Sequence, residues 1–277
     1  MVIQAKSKEE LNEQNLITIE NFRLLDDDFM RIVFQDDLQL AQFVLRIITG
    51  IDDLVLSRED TQYELKRHGS RSVCLDVHGV DTNGQVYDLE IQRSNTGAEP
   101  ERARYHSSMI DVVNLKPKKP FKTLPTSYVI FITEHDVFGD DELIYEFERI
   151  NTRTGKPLKD RSHIVYVNTE YNHPDDKSKL AELARDFRCK RAADMRLQEL
   201  AERVRFFKET EEGVSQVCEA IEKIKNEAVE EAVLLEKYEI ALSMLAKEKY
   251  SHEEIAEITG LSLEDVEELA KQKPVNA

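Results

Sequence analysis

Tryptophan is absent from this chain, and cysteine nearly so: Cys74, Cys189 and Cys218 stand far apart with no C-x-x-C spacing. That excludes a disulfide framework and a cysteine-ligated zinc, and it fits a reducing cytoplasm. No apolar run approaches the roughly 20 residues that span a bilayer. The opening, MVIQAKSKEELNEQN, is polar and lacks the apolar core of a signal peptide, so no membrane partner is expected. Glycine motifs for phosphate are missing as well. Neither G-x-G-x-x-G nor G-x4-G-K-[ST] occurs, which argues against Rossmann and P-loop enzymes. No internal repeat is visible.

Positive charge is also scarce. Lys and Arg number 38 against 55 Asp and Glu, a net −17. Nucleic acids are held by neutralising phosphates, so a chain this acidic binds DNA only through a local basic lining. Hydrophobic content of 40% in 277 residues is enough for one large core plus an appendage.

What is present centres on one hairpin, Val73 to Gln92: VCLDVHGV, then DTNG, then QVYDLEIQ. Apolar, β-prone runs flank turn chemistry. Side chains alternate along a strand, so Cys74, Asp76 and His78 share one face, and Asp88, Glu90 and Gln92 share one on the second strand. With Gly84 taking positive φ in a Thr82-Asn83-Gly84 loop, Asp81 opposes Gln85 and Asp76 opposes Glu90. Opposed Cβ atoms are roughly 5 Å apart. Two carboxylates, the Ile91 backbone carbonyl and water suit a hard cation such as Mg²⁺. Asp88 is expected on the active face but beyond the metal. His78 is either a ligand or a structural histidine, and Cys74 is expected to pack in the core.

Around the hairpin, residues 1–15 look mobile. LLDDDFMRIVF starts a helix whose Asp run sits where negative charge is favoured. Asp36 to Gly50 is a core helix with glycine past its end. Val55 to Lys66 holds strand. Within it Glu64 is either a further ligand or a solvent-facing carboxylate. After the loop RSNTGAEP, Pro100 opens the helix ERARYHSSMIDVVNL. Arg102, Tyr105 and His106 fall on one face. That face is either a phosphate-facing patch, since arginine matches phosphate with a planar fork, or an ordinary solvated surface. KPKKPFK (116–122) is a solvated connector or part of a DNA-facing rim. SYVIFIT reads as a buried strand beside the hairpin. GDDELIYEFERIN and SHIVYVN are strand-like, and KLAELARDF is helical.

From about Leu197 the composition turns to that of long helix. At the end, Ser251 with Glu254 forms a capping box, Gly260 breaks the helix, and Ser262 with Asp265 starts another. Helix, glycine turn, helix is the shape of a helix-turn-helix. Residues 201–277 carry 19 acidic and 10 basic side chains, however, so protein contact or homo-oligomerisation is favoured over DNA reading for this tail.

The order D-x13-E-x-Q after an apolar strand resembles the PD-(D/E)xK nuclease motif. With LLDDDFMRIVF (24–34), YDLEIQR (87–93), ERARYHSSMID (101–111) and SYVIFITEHDVFG (127–139), the chain is similar to Rpn-type recombination-promoting nucleases, also called PD-(D/E)xK family transposases, over roughly residues 16–215. The resemblance implies an α/β restriction-endonuclease-like core, a mixed β-sheet flanked by helices, over residues 16–196. An α-helical C-terminal extension follows over 197–277. It implies metal-dependent cleavage of DNA with Mg²⁺, or Mn²⁺, at Asp76, Glu90 and Ile91. Gln92 stands where many relatives have lysine. It also implies support from Asp27, and it favours the phosphate-facing role for Arg102 and Tyr105. The alternative is a catalytically weak or inactive nuclease fold that binds DNA or protein. The discriminator is whether Asp76, Glu90 and Gln92 converge.

Overall fold

The structure, a computed structural model, describes residues 8–65, 73–94, 96–247 and 249–271. Contacts divide the chain into two compact units, residues 1–218 and 219–277. The compositional change at 197 therefore lies inside the first unit.

Three helices open the first unit: α1 (Lys8–Asn21), α2 (Asp27–Phe34) and α3 (Leu38–Thr49). Helix α1 occupies much of the stretch expected to be mobile. It is polar along most of its length, yet Asn15 and Ile19 are buried, an anchor too sparse to show as a periodic stripe. Helix α2 buries Phe29, Met30, Ile32, Val33 and Phe34. Helix α3 starts at Asp37, whose side chain accepts from the Leu40 N–H at 3.0 Å, and stops at Gly50, φ +67°.

Strands β1 (Leu56–Leu65), β2 (Val73–Asp81) and β3 (Val86–Gln92) follow as an antiparallel meander. The β2–β3 turn forms as its chemistry dictates. Gly84 takes φ +76°. The Asp81 N–H donates to the Gln85 carbonyl at 3.0 Å, and the Asp81 side chain accepts from the N–H groups of Asn83 and Gln85 at 2.9 and 2.8 Å. The register runs Val77–Leu89, His78–Asp88, Gly79–Tyr87. One further step sets Asp76 across from Glu90.

Helix α4 (Pro100–Asn114) then crosses over to β4 (Ser127–Thr133), which lies parallel to β3. Val129, Ile130, Phe131 and Ile132 in β4 are fully buried, as expected for a central parallel strand covered on both faces. Strands β5 (Ile144–Phe147) and β6 (Ser162–Asn168) complete a six-stranded mixed sheet of order β1-β2-β3-β4-β6-β5. Phe131 stacks on Tyr166 with ring centroids 5.3 Å apart, and Phe138 meets Tyr166 edge-on at 5.0 Å. Helices α5 (Lys179–Arg188) and α6 (Gln198–Glu209) follow. The fold is thus an α/β nuclease-like architecture, a mixed sheet flanked by helices.

Helix α7 (Glu211–Leu245) leads into the second unit, which ends in α8 (His252–Thr259) and α9 (Leu263–Lys271). The expected capping box is present: Ser251 Oγ accepts from the Glu254 N–H, and Glu254 accepts from the Ser251 N–H. Gly260 takes φ +67°. Ala241, Met244, Ile255, Leu261 and Val266 form this unit's own small core.

Candidate active site

The hairpin and α4 build one buried polar cluster. Asp76 enters from β2, Asp88 and Glu90 from β3, and all three are less than a tenth exposed. The two strands clasp each other through these carboxylates. The Asp76 N–H donates to Glu90 Oε1 at 3.1 Å, and the Ile91 N–H donates to Asp76 Oδ2 at 2.9 Å. Ile91 therefore meets the cluster through its N–H.

Pro100 at the first turn of α4 aims the helix so that Arg102 and His106 face the sheet. Arg102 Nη2 donates to Glu90 Oε2 at 2.8 Å, and its Nη1 donates to Gln92 Oε1 at 3.2 Å and to the Gly97 carbonyl at 2.9 Å. The Gln92 amide donates in turn to the Thr96 carbonyl at 2.8 Å. Arg102 Nε, which can only donate, reaches His106 Nε2 at 3.3 Å. That bond fixes the tautomer. The proton is on His106 Nδ1, which donates to Asp88 Oδ2 at 3.0 Å. Burial lowers the pKa of His106, consistent with a neutral ring.

Burial raises the pKa of all three carboxyl groups. For Asp76 the Asp27 charge adds to it, and the bond from Ile91 with Arg31 and Arg102 pulls back. For Glu90 the neighbours Asp88 and Asp76 add to it. Desolvation likewise pushes Asp88 well above the carboxylate range. Asp88 Oδ1 is buried with no hydrogen-bond partner. Three desolvated acids with an orphaned oxygen hold more acidic groups than Arg102 and Arg31 balance, an environment that a cation would complete.

Asp88, Glu90 and His106 place ligand atoms within 4.8 Å of one another, the one such group among the described residues. The tautomer separates their roles. With its proton on Nδ1, His106 orients Asp88 and leaves an all-oxygen donor set, which suits a hard divalent cation.

Several expected residues fall differently. Asp88 lies inside the cluster and not beyond it. His106 is 3% exposed and turned to Asp88, so it is corrected from an outward phosphate contact to a buried orienting group. Tyr105 is half-buried and packs beside Val86, Ala103, Ile110 and Phe131; the helix turns this face toward the sheet and not toward solvent. Arg102 is the member of that trio that spans cluster and surface. Asp27 stands at the rim, its Oδ2 accepting from Arg31 Nη2 at 2.5 Å, while Arg31 Nη2 lies 3.7 Å from Asp76 Oδ1. His78 is buried opposite Asp88 in the register. Glu64 falls on β1, and its side chain, like that of Cys74, lies outside the described residues. The basic segment 116–122 precedes β4 at its N-terminal end, whereas Gln92 ends the parallel β3; the two lie at opposite ends of these strands.

No helix among the described residues is long and apolar enough to cross a membrane. No curated protein and no solved structure matches the chain. A family model described as PD-(D/E)XK nuclease family transposase matches residues 40–258, well over half of the sequence, and the chain belongs to that family.

Proposed function

We propose that the protein is a divalent-metal-dependent endonuclease that hydrolyses phosphodiester bonds of DNA. The observation that carries this reading is the convergence of three desolvated carboxylates from two paired strands beneath a single arginine. Asp88 and Glu90, with Asp76 beside them, would hold Mg²⁺, or Mn²⁺ as a substitute, and the backbone carbonyl of Ile91 would add a neutral donor. The ion would supply Lewis-acid polarisation of the scissile phosphate and charge for the leaving oxygen.

The chain's own residues do the rest. His106 holds Asp88 in one rotamer through Nδ1. Arg102 binds a phosphate oxygen with the one Nη2 N–H that Glu90 leaves free, and it fixes the Gln92 amide. Gln92 carries no charge and serves as no base. It orients a water by hydrogen bonding, which makes the cation the main source of activation. Asp27 and Arg31 set the field beside Asp76.

The acidic second unit serves protein contact or self-association in this reading, and the setting is a reducing cytoplasm, in keeping with the free Cys189 and Cys218.

The test is cleavage of supercoiled plasmid by the purified protein with Mg²⁺, Mn²⁺ or chelator, beside the Asp76→Ala/Glu90→Ala variant. Metal-dependent nicking that the double variant loses is the expected result. No cleavage with either metal, or equal cleavage by the variant, refutes the proposal and leaves a binding module.

A further inference from the structure

Immediately past Gln92 the chain presents a second cluster, of opposite sign. The ends of β3 and β4 are tied by the Glu134 N–H, which donates to the Gln92 carbonyl at 3.0 Å. Four cations gather there around two carboxylates. Arg23 Nη1 pairs with Glu134 Oε1 at 2.6 Å. Arg93 pairs with Asp26 and, at 3.3 Å, with Glu134. Arg188 Nη1 donates to the Glu134 carbonyl at 2.8 Å. Lys190 Nζ donates to a neutral group, Asn21 Oδ1, at 3.0 Å.

The exposure of these groups is lopsided. The side chains of Asp26 and Glu134 are 12% and 13% exposed, those of Arg93 and Arg188 53% and 37%, and Lys190 is exposed. The carboxylates face inward and hold the cations in place, so the surface offered to solvent is positive. In a chain of net charge −17 such a surface is not the default. It rims a depression of about 540 Å³ floored in part by Ile17 and Phe22. Its position also matters. In open sheets with parallel strands, ligands lie at the carboxyl ends of the strands, and this rim continues from the end that carries Glu90 and Gln92.

We propose that Arg93, Arg188 and Lys190 form a track for the sugar-phosphate backbone of a DNA strand as it leaves the cutting site. Arginine forks take phosphate oxygens in two parallel bonds, and Lys190 adds a point charge. The inference rests on the nuclease reading above and supplies the local basic lining that an acidic chain requires. Arg23 is the internal tie: 16% exposed, it anchors Glu134 and leaves the outer cations to the ligand.

The test is fluorescence anisotropy of a labelled 20-base-pair duplex, bound by the full chain in EDTA across a series of KCl concentrations. Wild type, Arg93→Gln/Lys190→Gln and Arg149→Gln are compared. Arg149 is 54% exposed and paired with Asp160 just before β6, so its substitution removes one positive charge at the opposite ends of the parallel strands. Each phosphate contact contributes about 0.9 to the slope of log affinity against log salt. The double variant is expected to lose about 2 from that slope and at least tenfold in affinity, with Arg149→Gln unchanged. Equal slope and affinity in the double variant, or an equal loss in Arg149→Gln, overturns the track. If that happens while wild type still cuts plasmid, the nuclease reading stands. A wild type that neither binds nor cuts overturns both. Should Arg93→Gln unfold the protein, Lys190→Gln alone carries the test, with an expected slope change of about 1.

Discussion

Asp88→Asn separates what the cluster does for folding from what it does for a cation. The substitution keeps the shape of the side chain, and the asparagine oxygen still accepts from His106 Nδ1. It removes a carboxyl that burial pushes far from its ordinary range and whose Oδ1 has no partner. Leaving a buried polar atom unsatisfied costs about 1–3 kcal/mol, and asparagine is neutral without having to take up a proton. The metal-free variant is therefore expected to be as stable as wild type or more so, by up to about 2 kcal/mol. For a domain of this size that is roughly 4–8 °C in Tm. A cation at 100 times its Kd stabilises wild type by about 2.7 kcal/mol. Altering the coordination sphere weakens metal affinity by about 10- to 100-fold, which cuts that gain to roughly 0.4–1.4 kcal/mol at the same concentration. The assay is thermal unfolding in EDTA and with Mg²⁺ or Mn²⁺. An Asp88→Asn protein that is several degrees less stable in EDTA, yet keeps the full cation-induced rise, refutes the reasoning.

Other perturbations follow from the same geometry. Arg102→Ala removes the charged partner of Glu90, whose side chain is fully buried, and is expected to lower metal-free stability by about 1.5–3 kcal/mol, read as a lower urea midpoint at unchanged slope. Gly97 has φ +103°, and a Cβ there comes within 2.8 Å of Gln92 Oε1; Gly97→Ala should cost about 1–3 kcal/mol of backbone strain and, by displacing the Gln92 amide, reduce plasmid cleavage more than the loss of folded protein explains. Burial lowers the pKa of Lys208 from 10.5 to about 8, so between those values the unfolded chain binds more protons and this group's contribution to stability rises with pH. Urea midpoints of wild type relative to Lys208→Met are expected to increase from pH 7.5 to 9.5, and a flat or falling difference contradicts the assignment.

Much of the fold was local enough to read. DTNG fixes the β2–β3 register because Gly84 tolerates positive φ and Asp81 ties the turn to itself, and once register is set, period-two alternation places Asp76 against Glu90. The continuous apolar run of β4 required cover on both faces, which α4 and the remaining helices supply. Residues 8–15 were missed because the stretch KEELNEQN is polar but for Leu11 and offers no periodic apolar stripe. The long helical tail resolves into α6 and α7, with Thr210 between them; Gly213 permits the close approach there, since a Cβ would lie 2.0 Å from the Phe206 carbonyl oxygen. Such a contact is set by packing and leaves no periodic trace.

The site shows where local reading stops. Alternation put Asp88, Glu90 and Gln92 on one face, but it did not say how many of them a cation would meet. That depends on what crosses over them, and helix spacing defines a face without saying which way it points. Helix α4 brings His106 and Ser107 inside along with Ala103, Met109 and Ile110, so polarity was a poor guide to its orientation. Once α4 is laid on the sheet, the chemistry separates by charge. Its inner residues, with β2 and β3, make a desolvated acidic pocket whose carboxyl pKa values burial raises. The loops just past β3 and β4 turn their carboxylates inward and their guanidiniums outward. The proposed cleavage of a phosphodiester would use both surfaces at adjacent positions, positive charge for the strand and a cation-loaded acidic pocket for the bond that breaks. Net charge does not reveal such an arrangement, because a sum over the sequence does not say which side chains face inward and which face solvent.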